Sequence, residues 1–120
     1  MSINYKVGDM DFRPWGKWET IDVGENYVIK KITVNPAGKL SLQKHKYRLE
    51  HWVITQGEGV VTLNDSVATY KKDDHILIPI GTIHRIENQT NEPLVFIEIQ
   101  QGSVLDENDI IRLEDIYNRV

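Results

Sequence analysis

The chain of 120 residues carries 14 basic and 18 acidic side chains, a net charge of −4, which leaves no general electrostatic pull toward nucleic acid. It has no cysteine, so a disulfide framework, a thiolate metal site and a cysteine nucleophile are excluded. No stretch approaches the ~20 apolar residues of a membrane helix and the opening MSINYKVGDMDF has no apolar run of signal-peptide length, so a soluble, cytoplasmic protein with no membrane contact is expected.

The length predicts a single domain over residues 1–120, with its core over about 13–119. A chain of this size buries roughly two-thirds of its unfolded surface and needs no covalent staples. A small anionic ligand remains compatible with the net charge, because a local cluster of cations can oppose it.

The segments read in order as short strands broken by turns. FRPWGKWETI suggests a turn followed by a strand. YVIKKITV, Tyr27 to Val34, reads as a strand and NPAGK as the turn after it. HWVITQ and VVTL are strands around the Gly-rich GEG, and NDS is the next turn. VATYKK, HILIPI, IHRIEN and LVFIEIQ follow as further strands. The continuous apolar run Leu94 to Ile99 predicts a strand covered on both faces. Turn signals at this density predict an all-β sandwich or barrel. The final DENDIIRLEDIYNRV changes character: Ile110, Leu113 and Ile116/Tyr117 have helical spacing, and Asp106 or Asn108 could cap them, so a short C-terminal helix is predicted.

One stretch does not read as ordinary strand. LSLQKHKYRLEHW, Leu40 to Trp52, carries a Gln, two His, a Glu, an Arg and two Lys. Gln43 and His45 are two apart and share a face of a strand. Glu50, five further on, needs a bend or bulge near Tyr47 and Arg48 to reach that face. A second block, DHILIPIGTIHRIEN, places His84 three residues after Gly81. Gln43, His45, Glu50 and His84 brought together would form an N₂O₂ site acceptable to Zn²⁺, Mn²⁺, Fe²⁺, Ni²⁺ or Co²⁺.

These two blocks resemble the cupin signatures. The first signature has two His, then a Glu, then a Gly, here Gln43, His45, Glu50 and Gly57, with Gln in the place of the first His. The second, Pro-x-Gly-x-x-His-x-x-x-Asn, is matched by Pro79, Gly81, His84 and Asn88. With RPWGKWETID, PLVFIEIQQG and DENDIIRLEDIYNR, the likeness extends from Arg13 to Arg119 and is similar to the type II mannose-6-phosphate isomerase family. That family often carries this cupin behind a mannose-1-phosphate guanylyltransferase domain. No Gly-rich nucleotidyltransferase region is present here, so that activity is not carried over. The family also has a run of three His where this chain has His45-Lys46-Tyr47.

The resemblance implies a double-stranded β-helix (jelly-roll) barrel, a homodimer, and a divalent metal held by Gln43, His45, Glu50 and His84. It implies interconversion of mannose 6-phosphate and fructose 6-phosphate, supplying GDP-mannose and surface polysaccharide. Such a reaction needs a base to move a proton between two neighbouring carbons, and Glu98 or Glu87 would serve. It needs cations for the substrate phosphate, and Arg48, Arg85 and Lys44 are the candidates. Each assignment has a structural rival. His45 and His84 suit a core, Gln43 a backbone hydrogen bond, Glu50 a pairing with Arg48, and both arginines a salt bridge. Asn88 suits a turn, and Trp15, Trp18 and Trp52 a core or a dimer contact. The functional rivals are a cupin that binds a sugar phosphate or sugar nucleotide without turnover, and a different metal-cupin reaction such as dioxygenation or epimerisation.

Overall fold

A computed structural model describes residues 2–119, with no side-chain detail for Ser2. The strands are β1 (Ser2–Ile3), β2 (Met10–Arg13), β3 (Gly16–Gly24), β4 (Tyr27–Val34), β5 (Leu42–Lys44), β6 (Arg48–Gln56) and β7 (Glu58–Leu63). They continue as β8 (Ser66–Lys71), β9 (His75–Ile78), β10 (His84–Glu87), β11 (Leu94–Gly102), β12 (Val104–Leu105) and β13 (Ile111–Glu114). No helix occurs among the described residues, so none there is long and apolar enough to cross a membrane.

Two antiparallel sheets form the body. One has six strands in the order β2-β3-β4-β11-β6-β9, the other five in the order β13-β5-β10-β7-β8. A parallel pair, β1 with β12, ties the N-terminus to the later chain. β11 is central to the larger sheet, paired along its length with β4 and β6. Its Leu94, Val95 and Phe96 are all buried, as the continuous apolar run predicts. The core is contributed by both sheets, with Trp52, Ile54 and Phe96 from one and Val61 and Ile86 from the other. Alternation explains the rest: Val28, Ile32 and Val34 of β4 point inward.

Turn chemistry sets the register. Gly57 alone links β6 to β7, with φ at +80°, and a Cβ there would lie 2.5 Å from the Pro93 carbonyl oxygen. Asn88 closes the turn after β10. Its amide donates to the carbonyls of Val34 and Glu92, and its oxygen accepts from Thr90, all from a fully buried position. That is the structural role expected of it.

One expectation is corrected. The C-terminal segment is not helical: Asp106–Asp109 forms a turn and β13 pairs with β5. The apolar spacing misleads because the stripe is not buried as a unit: Leu113 and Ile116 are exposed, while Ile110 is half-buried and Tyr117 packs against the core. The edge of β5 supplies backbone partners instead, and Asp106 spends its carboxylate on the Asn108 amide in a local turn. The bend expected near Tyr47 and Arg48 is present at Lys46 and Tyr47, and it carries the chain between the sheets. The chain leaves one sheet after Lys44, crosses at residues 45–47, and enters the other sheet at Arg48. Gln43 and Glu50 therefore approach from opposite sheets.

Candidate metal centre and cavity

Cross-strand register assembles the site. On β10, His84 stands opposite Gln43 of β5, which stands opposite Arg112 of β13. Directly opposed residues share a face, so Gln43 and His84 point the same way. On the other sheet, Glu50 stands opposite Gln100, and one row along, Trp52 opposite Glu98 and Glu98 opposite Lys30. His45 hangs from the crossing segment between the sheets.

His45, Glu50 and His84 meet with potential ligand atoms all within 4.8 Å of one another, and all three are buried. Each imidazole is oriented by a backbone carbonyl. His84 Nδ1 lies 2.8 Å from Thr82 O, and His45 Nδ1 lies 2.6 Å from Asp109 O. A ring nitrogen against a carbonyl carries the proton, which turns the bare Nε2 of His84 into the site. That Nε2 is buried and has no hydrogen-bond partner among the described residues. Burial, only partly opposed by Glu50, depresses the His84 pKa and keeps the ring neutral and able to ligate.

Glu50 is heavily supported. Arg48 Nε donates to its Oε2 at 2.8 Å, His45 Nε2 lies 3.1 Å from the same oxygen, and Trp52 Nε1 donates to Oε1 at 2.9 Å. Burial pushes this carboxyl up, but the Arg48 guanidinium and then His45 overcome it and hold it well below the usual range. The same contact raises His45 against its own burial. A neutral imidazole, an anionic carboxylate and an oriented second imidazole fit a divalent cation. Its identity is open to any of the borderline metals.

The cavity beside this cluster is lined by Gln43, His45, Arg48 and Glu98, with Lys30 and Gln100 at its side. Glu98 is nearly fully buried, accepts from the Gln100 amide, and is pushed up to about 7 by burial and then by the Glu50 charge. Arg13, Arg112 and Arg119 also line the cavity, making it cationic in an acidic protein.

The other expected residues fall elsewhere. Arg85 is turned away from His84 and is held by Leu40 O and Glu114. Glu87 pairs with Lys39 at 3.6 Å and accepts from Gln89, at the far end of β10. Lys44 lines a separate surface groove with Ile80, Gly81 and Ile111. Gln43 faces the cavity, with its amide oxygen accepting from Ser41 at 2.6 Å.

Lys30 was not singled out in the sequence. It is buried between the rings of Tyr5 and Trp18, 3.9 Å from each centroid, and 3.3 Å from Glu107. A signal was present: strict alternation puts it on the inner face with Val28 and Ile32. Asp109 was also missed. Its carboxylate accepts the amides of Lys46 and Tyr47, bracing the crossing segment, and nothing in the local pattern pointed to it.

A two-sheet antiparallel barrel with a buried His/Glu cluster between the sheets defines the class as a cupin. The fold agrees with that of the Schizosaccharomyces pombe Cnp3 cupin domain, at TM-score 0.70 and 18% identity over 84% of this chain and 70% of that one. It also agrees with the capsular polysaccharide assembling protein CapF of Staphylococcus aureus, at TM-score 0.74 and 22% identity over 88% of this chain and 34% of that one. The chain belongs to the mannose-6-phosphate isomerase C-terminal family, whose model matches residues 3–115. It is 47% identical over 109 residues to mannose-1-phosphate guanylyltransferase ManC of Salmonella typhimurium, covering 91% of this chain and 23% of that protein. It thus spans just under a quarter of the length of that relative.

Proposed function

We propose that this domain binds a divalent metal through His45, Glu50 and His84, with Gln43 beside them, and interconverts mannose 6-phosphate and fructose 6-phosphate. The observation that carries the reading is the buried Glu98 carboxyl, poised at about 7, on the same sheet face as Glu50 in a cation-lined cavity. Family membership supports the substrate class.

When bound, the metal supplies Lewis-acid polarisation of the sugar carbonyl and its neighbouring hydroxyl. The chain does the rest. Glu98 takes the proton from C2 of the aldose and returns it to C1, a task suited to a base whose pKa lies near working pH. Gln100 donates to Glu98 and orients it. Arg112, whose buried Nε has no partner among the described residues, faces the cavity for the phosphate, beside Arg48, whose guanidinium lies on the wall braced by Glu50. The apolar walls from Trp15, Trp18 and Ile32 exclude water from the transfer. Supply of mannose phosphates for polysaccharide synthesis is the setting supported by the names of its relatives.

Proton NMR on mannose 6-phosphate in D₂O tests this, with the protein loaded in turn with Zn²⁺, Mn²⁺, Co²⁺, Ni²⁺ and Fe²⁺ against an EDTA control. Metal-dependent fructose 6-phosphate, or deuterium at C2, is the expected result. One observation favours a second reading, a cupin that binds the sugar phosphate without turnover: both Glu50 oxygens already have protein partners. Line broadening of the sugar without exchange under every metal would move the assignment there.

A further inference from the structure

A second pair of histidines lies outside the cavity. Neighbouring residues on a strand face opposite ways, so His51 points outward because Glu50 points in. On the paired β6 and β9, His51 stands opposite Leu77 and His75 opposite Val53, which sets the two imidazoles on one outer face, one diagonal apart. His51 Nδ1 lies 3.0 Å from His75 Nε2. The rings are 5.3 Å apart between centroids and inclined by 17°. His75 is exposed and His51 half-buried, so solvent reaches the pair. The two ring nitrogens are within hydrogen-bond distance, and both residues sit on hydrogen-bonded strands rather than loops.

The 3.0 Å separation is that of a hydrogen bond between the rings, and it lies within reach of the ~3.0–3.4 Å that two metal–nitrogen bonds of about 2.1 Å span between a right angle and a tetrahedral one, so a small ring rotation lets one ion replace the hydrogen bond. Imidazole suits Cu²⁺ and Ni²⁺, and Cu²⁺ heads the affinity order of the divalent metals. We propose that His51 and His75 form a surface metal site, separate from the cavity, for a tetragonal divalent ion of the Cu²⁺ or Ni²⁺ type, with water completing the coordination. The site is independent of the isomerase reading.

The test is Cu²⁺ titration of the EDTA-treated full chain, followed by electron paramagnetic resonance, on the wild type, H75Q and H84Q. Ni²⁺-induced shifts of the imidazole resonances provide the second readout. His75 is exposed, so H75Q is expected to keep the wild-type melting temperature. Loss of one of the two ligands should weaken one Cu²⁺ equivalent at least ~10-fold in H75Q. The same equivalent should persist in H84Q with a two-nitrogen spectrum, and Ni²⁺ should move the His51 and His75 resonances. Equal Cu²⁺ affinity and stoichiometry in H75Q and wild type would overturn the site, as would His51 and His75 resonances indifferent to Ni²⁺.

Discussion

Glu98 on β11 stands directly opposite Lys30 on β4, and both side chains are buried on the inner face of one sheet. The pairing puts an acid and a cation, each desolvated, on the wall of the same cavity. Burial raises Glu98 and lowers Lys30, while each opposes the shift of the other. The predictions begin from that balance.

Isomerisation should rise with pH through about 7, because only the ionised Glu98 accepts a proton. Glu98→Gln should cost ~10²–10⁴-fold in kcat while metal content stays unchanged. The same carboxyl titrates near 4.5 when unfolded and at about 7 when folded. Its contribution to stability is whole below 4.5 and is lost as pH rises through 7. A melting series across that window should fall less steeply for Glu98→Gln than for the wild type.

Lys30→Met removes the cation facing Glu98. The carboxyl should then titrate higher still, moving the pH–activity midpoint upward from the wild-type value. The direction follows from Lys30 being one of the charges that lower Glu98. A pH–kcat profile reads it, and an unmoved midpoint would show that the two groups are not coupled.

His84→Ala should lose bound metal, because it deletes the orphaned buried Nε2. Metal content by plasma mass spectrometry after dialysis is the readout. Retention of both metal and activity would refute the ligand assignment. Trp52→Phe is the gentler companion. It removes the donor to Glu50 Oε1 and should weaken metal binding by ~10–100-fold, as loss of an outer partner does.

Gly57→Ala should destabilise the fold by about 1–3 kcal/mol, because alanine at positive φ is strained and its Cβ meets the Pro93 carbonyl. Urea unfolding measures the loss. Gly81→Ala should cost less, since its Cβ meets nothing within 4 Å and only the φ of +80° opposes it.

The sequence by itself determined most of the strands and the His/Glu set of the candidate site. Period-two runs such as Tyr27–Val34 and the apolar Leu94–Ile99 specify strands locally, because side chains alternate at each residue. Gly57 and Asn88 mark turns by conformational need. The motif spacing picked out His45, Glu50 and His84, which the fold brings together. Only the tertiary structure decided what lies across from what. Ile110, Leu113 and Ile116 fit a helix locally, but the edge of β5 captures that segment as β13. Arg48 and Arg85 look alike in the chain, yet one lines the cavity and the other is held by Glu114. Glu98 and Glu87 are equally acidic, yet only Glu98 is buried beside Glu50. The reason is physical. Strand periodicity is a nearest-neighbour property, whereas sheet pairing, and with it burial and charge environment, depends on residues far apart in the chain.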